Sequence, residues 1–216
     1  MRRDELLMRY YRAMLEALGP RDWWPANTPF EVCVGAVLVQ NTAWTGVKKA
    51  LANLDAARAL DPALLDALPV SRLEELIRPA GYFRVKTVRL KNLLEYLRNS
   101  CGFDLDALAR RPMEELRGEL LLVRGVGPET ADSILCYALN KLTFVVDAYT
   151  RRILSRHGLV PEDIAYEELR EFFHDVLPRK WALYNDFHAQ FVRVGNRFCK
   201  PRNPLCGECP LKPFLP

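Results

Sequence analysis

Three short stretches of this 216-residue sequence combine residue types and spacings that can do chemistry. Asp147 follows the apolar run Thr143-Phe144-Val145-Val146 and opens a helical pattern. A carboxylate there can simply cap the helix, worth about 1 kcal/mol, or it can stabilise a developing cation and take a proton from water. Gly125-Val126-Gly127-Pro128 separates two helical patterns. The glycines permit a tight turn and close approach by a partner, and proline suits the first turn of the helix that follows. The free N–H groups at that helix start can hold an anion such as a DNA phosphate, while apolar Val126 can tuck back between the two helices. By itself, a glycine turn of this kind joins many inert helix pairs. Cys199, Cys206 and Cys209 form the third set, spaced C-x6-C-x2-C. In a reducing compartment such thiols are metal ligands before they are disulfides.

The elements that must hold these residues are helices. Residues 4–18 carry Leu6, Leu7, Tyr10, Tyr11, Met14, Leu15 and Leu18 at threes and fours, and Gly19-Pro20 ends the pattern. Residues 29–39 are apolar enough for a buried helix. Further helices are expected over 45–56, 71–77, 85–98, 113–123, 128–140, 147–157, 166–176 and 180–198, with short Pro- and Gly-bearing links between them. The run Thr143-Phe144-Val145-Val146 could be extended, but one short run makes no sheet. With no internal repeat and no low-complexity linker, the class is all-α.

Half of the residues are hydrophobic, which excludes a disordered tail. The net charge is +4, and residues 180–216 alone hold six Lys/Arg against two Asp/Glu. The whole surplus therefore lies near the C-terminus, either as a solvated basic tail or as a footprint for nucleic acid. No apolar run reaches membrane-spanning length, and the start leads into an amphipathic segment rather than a signal peptide. A cytoplasmic, nucleoid-associated location in a bacterium and no membrane partner are the expectation. Cys33, Cys101 and Cys136 are scattered and read as inert thiols.

The longer string Leu121-Leu122-Val123-Arg124-Gly125-Val126-Gly127-Pro128-Glu129-Thr130-Ala131 resembles the helix-hairpin-helix element of the endonuclease III superfamily of DNA glycosylases. Two further matches follow in the family's order: Val145-Val146-Asp147-Ala148-Tyr149 and the terminal cysteines. The resemblance spans roughly residues 30–210. It implies a two-lobed all-α fold. A six-helix lobe over 30–140 would carry the hairpin (about 113–140), and a second lobe would combine 1–29 with 141–216. It also implies that Asp147 is the catalytic carboxylate and faces a DNA-binding cleft with the hairpin. Gln40, Gly125, Val126, Gly127 and Thr130 would contact DNA, Gln40 filling the space left by a flipped nucleotide. The partner would be double-stranded DNA with a damaged base, bound by a monomer. Lys86, in Gly-Tyr-Phe-Arg-Val-Lys, either meets a phosphate or is a solvated helix lysine.

Members that cleave the strand carry a lysine in the second hairpin helix, in the pattern Gly-Val-Gly-x-Lys-Thr-Ala. Glu129 holds that place here. A carboxylate cannot form a Schiff base, so the resemblance implies a monofunctional glycosylase without lyase activity. Ala36 stands where the adenine-mismatch branch carries a glutamate, which argues against that activity. The strings Asp22-Trp23-Trp24-Pro25, Val37-Leu38-Val39-Gln40-Asn41-Thr42, Arg78-Pro79-Ala80-Gly81-Tyr82-Phe83 and Ala131-Asp132-Ser133-Ile134-Leu135-Cys136-Tyr137-Ala138 are similar to the bacterial 3-methyladenine DNA glycosylases of the MagIII type. A 3-methylated adenine is cationic and already a good leaving group. Aromatic faces can hold it by stacking and cation–π attraction, about 0.5–2 kcal/mol. Trp24, Trp44, Pro25 and Glu129 are the candidate pocket, with core packing as the plain reading of each tryptophan.

Many superfamily members end in C-x6-C-x2-C-x5-C, four thiolates that hold a [4Fe–4S] cluster. Cys199, Cys206 and Cys209 match, and Leu215 stands in the fourth place. Three readings stay open: a cluster with another fourth ligand, a labile cluster, or a loop that has lost it. Zinc with a donor such as His188 is a further alternative. The leading function is hydrolysis of the N-glycosidic bond of alkylated purines in base excision repair. The alternatives are an endonuclease III-like glycosylase for oxidised or mismatched bases, and a non-catalytic DNA-binding hairpin module.

Overall fold

The computed structural model describes residues 2–20 and 23–216. Of the string Asp22-Trp23-Trp24-Pro25, Asp22 lies outside the described residues. Among the described residues, twelve α-helices follow in chain order: α1 (Arg3–Leu18), α2 (Pro29–Leu38), α3 (Trp44–Ala56), α4 (Pro62–Ala67), α5 (Val70–Ile77), α6 (Phe83–Cys101), α7 (Leu105–Ala109), α8 (Met113–Leu122), α9 (Pro128–Ser133), α10 (Ala148–Arg156), α11 (Tyr166–His174) and α12 (Trp181–Arg197). No strand occurs among the described residues, so the class is all-α as expected. None of these helices is long and apolar enough to cross a membrane. The chain divides into two compact units, Met1–Trp23 with Leu142–Pro216, and Trp24–Lys141.

In the unit Trp24–Lys141, α2 is the central helix. Every residue from Phe30 to Leu38 is buried, as a helix apolar on all sides must be. The Thr28 hydroxyl caps its start by accepting from Glu31 N–H at 3.1 Å. Its far end stops inside the unit, where water cannot serve the last carbonyls. Lys86 of α6 serves them instead: Nζ donates to Leu38 O and to Ala80 O, both at 2.7 Å, and the side chain is 1 % exposed. Lys86 is therefore neither a phosphate contact nor a solvated lysine. Burial, with some help from Arg89, brings its pKa down to about 8.

Two helices escape the periodicity because they are so short. Asp61 caps α4 through Leu64 N–H at 2.9 Å, and Asp104 caps α7 through Ala107 N–H at 2.8 Å. The helix expected over 128–140 changes character midway. After α9 the chain widens into a π-helical stretch, Ile134–Ala138, with Leu139 N–H reaching back to Ile134 O. This stretch packs against α2 and turns Tyr137 toward Trp24, with ring centres 5.6 Å apart.

The unit of both termini packs α1, α10, α11 and α12 around one core. Leu7, Tyr10 and Met14 of α1 meet Ile153 and Leu154 of α10, Phe173 of α11, and Phe187 and Phe191 of α12. Phe144 stacks on Phe173 at 4.0 Å and 8°. The run containing Phe144 is extended without a sheet, because α11 side chains take its polar groups. Phe144 N–H donates to His174 Nε2 at 2.9 Å, and Arg170 Nε donates to Thr143 Oγ1 at 3.0 Å. At the crossing of α10 and α12, a Cβ on Gly195 would lie 2.4 Å from the Tyr149 ring. Only glycine lets the two helices come that close.

Candidate active site

Asp147 is the N-cap of α10. Its Oδ1 accepts from Thr150 N–H at 2.8 Å and from Thr150 Oγ1 at 2.9 Å. Its Oδ2 lies 3.5 Å from His188 Nε2, and the two side chains are only 11 % and 5 % exposed. Burial pushes this carboxyl up, but His188 and the Thr150 bonds outweigh burial and hold it below the ordinary aspartate value. The result is an ionised carboxylate in a nearly dry place. One oxygen is committed to the cap and the other faces an imidazole. Tyr149, beside Asp147, wedges at Gly195, donates through its hydroxyl to Asn196 Oδ1 at 2.8 Å, and has the Arg152 guanidinium 5.2 Å above its ring. The crossing of α10 on α12 thereby sets the spacing of Asp147 and His188. Sequence reasoning offered His188 as a zinc ligand; the structure sets it at Asp147 instead.

In the other unit, the hairpin joins α8 to α9. Gly125 has φ +97°, a conformation that favours glycine, and Val126 is buried. Gln40, at the end of α2, is tied to this turn. Its Nε2 donates to Gly125 O at 3.1 Å and to Thr130 Oγ1 at 2.8 Å, and its Oε1 accepts from Arg89 Nη1. Thr130 is buried by the same arrangement. With its amide engaged on each side, Gln40 would have to leave the hairpin to enter a DNA duplex. Arg89 was not foreseen. Its stem packs at Gly125, where an added Cβ would lie 2.4 Å from Arg89 Cγ.

Trp24 and Trp44 meet edge to face at 5.2 Å and 87°, both half-buried, with the Tyr137 ring 5.6 Å from that of Trp24. Gly35 on α2 leaves room for the Trp24 indole, whose Nε1 would be 3.1 Å from a Cβ there. Tyr137 is the aromatic that sequence reasoning missed. Pro25 and Glu129 are exposed, Glu129 in the first turn of α9.

Cys199, Cys206 and Cys209 are free thiols that line one pocket with Leu215, Lys212, Arg156 and His157. Burial raises the Cys209 thiol, and the charges of Cys199 and Cys206 nearby raise it further. The loop is gripped from α10: Arg152 Nε donates to Cys199 O at 2.8 Å, and Arg156 to Lys200 O at 2.7 Å and Pro201 O at 2.9 Å. No three His, Cys, Asp or Glu side chains among the described residues come close enough to hold a single metal ion. Three thiols around a common pocket are donors of the type that an iron–sulfur cluster takes.

Residues 34–179 match the HhH-GPD superfamily of base excision DNA repair proteins, and residues 199–214 match the iron–sulfur binding domain of endonuclease III. The chain belongs to the HhH-GPD superfamily and is a base excision repair DNA glycosylase. Over 212 residues it is 41% identical to a Methanocaldococcus jannaschii protein named "Putative DNA repair glycosylase MJ1434", covering 97% of this chain and 96% of that one. It is 33% identical over 184 residues to endonuclease III of Thermotoga maritima, covering 85% and 81%. Among solved structures it is similar to the H. pylori 3-methyladenine DNA glycosylase MagIII bound to 1,N6-ethenoadenine. That likeness has a TM-score of 0.77 at 29% identity, over 91% of this chain and 98% of that one. A non-covalent endonuclease III–DNA complex shares the fold with a TM-score of 0.83 at 23% identity, over 100% and 96%.

Proposed function

We propose that the protein is a monofunctional glycosylase that hydrolyses the N-glycosidic bond of alkylated purines, 3-methyladenine first, in double-stranded DNA. The observation that carries this reading is Glu129, an exposed carboxylate in the first turn of the second hairpin helix. No lysine occurs from Pro128 to Ala138, so water is the nucleophile. The target base must leave the stack. Trp24, Trp44 and Tyr137 offer aromatic faces for a cationic base, with Pro25 at the wall and Glu129 as a counter-charge. The similarity to MagIII supports this choice.

Breaking the bond builds positive charge on the sugar. Asp147 is ionised and held by Thr150, so its Oδ2 stabilises that charge or takes the proton of the attacking water. The hairpin N–H groups and Gly125, Val126 and Gly127 hold a DNA phosphate, with Gln40 and Thr130 bracing the turn. Cys199, Cys206 and Cys209 hold a [4Fe–4S] cluster in this reading. When bound, it clips the C-terminal loop and adds a redox-active group.

The match of residues 199–214 to the endonuclease III cluster domain, and the 33% identity to endonuclease III, favour a second reading in which the substrate is an oxidised or mismatched base. Base release from methylated duplex DNA, with alkali added to half of each sample, separates the two. Free 3-methyladenine, with strand breaks only after alkali, is the expected outcome. Release from oxidised or mismatched duplexes alone would favour the second reading. A gel shift with no release from any duplex would leave a DNA-binding hairpin module.

A further inference from the structure

We infer that Arg89 is a positioning residue for DNA binding: it locks the Gln40 amide onto the hairpin, and Gln40 holds the turn in its DNA-binding form from there instead of entering the duplex. The inference rests on the reading that the hairpin meets the DNA backbone. A glutamine amide has two N–H bonds to give and an oxygen that only accepts. Gln40 Nε2 gives one to Gly125 O at 3.1 Å and the other to Thr130 Oγ1 at 2.8 Å, and Oε1 accepts from Arg89 Nη1. The amide fits only this way round. Reversed, its oxygen would face the Gly125 carbonyl and its NH2 group the guanidinium, acceptor on acceptor and donor on donor. Arg89 therefore decides which way the two Gln40 donors point.

The turn is held at two successive carbonyls. Arg89 and Asn92 lie three residues apart on α6, on one face of that helix. Asn92 Nδ2 donates to Arg124 O at 2.8 Å, while Gln40, fixed by Arg89, donates to Gly125 O. A trans peptide points its N–H opposite to its C=O. The Asn92 bond to Arg124 O thus turns the Gly125 N–H away from Asn92, as a donor for an acceptor such as a phosphate oxygen. Both grips act on a residue with φ +97°, where the backbone has few alternatives. To enter a duplex, Gln40 would give up three hydrogen bonds, one of them to a guanidinium, and loosen the turn at the moment DNA must be held. The arrangement favours a brace that stays in place.

The test measures the affinity of the full chain for an undamaged duplex and for one carrying a stable abasic analogue, each over a range of salt. The variants are Arg89→Met, which keeps most of the stem and drops the guanidinium, Gln40→Ala, the two combined, and Gly127→Asp. Gly127 has an unstrained φ of −94° and open space where a Cβ would stand, so aspartate fits there and its charge repels a phosphate. Arg89→Met and Gln40→Ala should each weaken both duplexes alike and make the slope of log affinity against log salt shallower by about one. The double variant should lose no more than either single one. A loss of stability alone would leave the slope unchanged. Additive losses would make Arg89 a phosphate contact in its own right and overturn the positioning role, as would slopes equal to that of the wild type. A loss confined to the abasic duplex in Gln40→Ala would place Gln40 in the DNA. The same question is read on the wild type by NMR: the Gln40 side-chain amide protons should exchange slowly in the free chain and in both complexes, and fast exchange in any of these states would overturn the inference even if a variant failed to fold. Gly127→Asp separates the two levels. If it binds like the wild type, the hairpin reading itself fails; if it alone weakens binding, only the role of Arg89 and Gln40 does.

Discussion

Asp147 is asked to do two things with two oxygens. Oδ1 caps α10 through Thr150, and Oδ2 is left for the reaction. Asparagine keeps the cap oxygen but loses the charge. Asp147→Asn should therefore fold and bind DNA like the wild type while excision falls by about 10²–10⁴-fold, measured by single-turnover base release. The pH profile follows from the sign of its shift. A carboxylate held below its ordinary value stays ionised as pH falls through the usual aspartate range, and loses its charge only below it. Excision limited by Asp147 should thus have its acid limb under that range. A limb centred near neutrality would assign the limiting group elsewhere. Glu129→Lys tests the other half of the proposal: an amine at this place should give a covalent DNA adduct trapped by borohydride, and no adduct would mean that position 129 does not reach the sugar. Sequence made Asp147 and Glu129 visible through their neighbours in the chain. It could not show His188 or Arg89, whose partners are remote in sequence, nor Tyr137, which is one apolar residue among many in its helix.

At the scale of elements, the long helices were legible because burial imposes a period on them. The short helices α4 and α7 offered only Asp61-Pro62 and Asp104 as start signals. The π-helical stretch is not legible at all, since Ile134–Ala138 contains no glycine or proline to mark the change of register. The buried Lys86 is similar: its composition reads as surface, and only the end of α2 explains it. Lys86→Met removes the donor from Leu38 O and Ala80 O and should cost about 2–4 kcal/mol, read as a shift in the urea midpoint. An undiminished midpoint would mean water replaces the ammonium. Gly195→Ala should force α10 from α12, with a loss of about 1–3 kcal/mol and a fall in excision while affinity for undamaged DNA holds.

For the whole molecule, class and chemistry were more legible than substrate. The all-α class follows from periodicity, and the family from three motifs in order. The base recognised depends on how aromatic side chains from separate segments share a space, and Trp24, Trp44 and Tyr137 are far apart in the chain. Salt dependence provides a check on binding: the basic C-terminal surplus predicts that log affinity falls linearly with log salt, whatever the base. A flat response would remove that region from the DNA contact.

The pair of hydrogen bonds from Thr150 to Asp147 Oδ1 has a genetic corollary. An allele that changes Asp147 to asparagine would keep the oxygen that caps α10 and lose only the charge that faces His188, so its product should still fold and dock on its lesion. Such a product would sit on damaged sites and keep the active enzyme off them. In a cell carrying both copies, this allele should behave as dominant, whereas alleles that disturb Lys86 or Gly195 should behave as recessive.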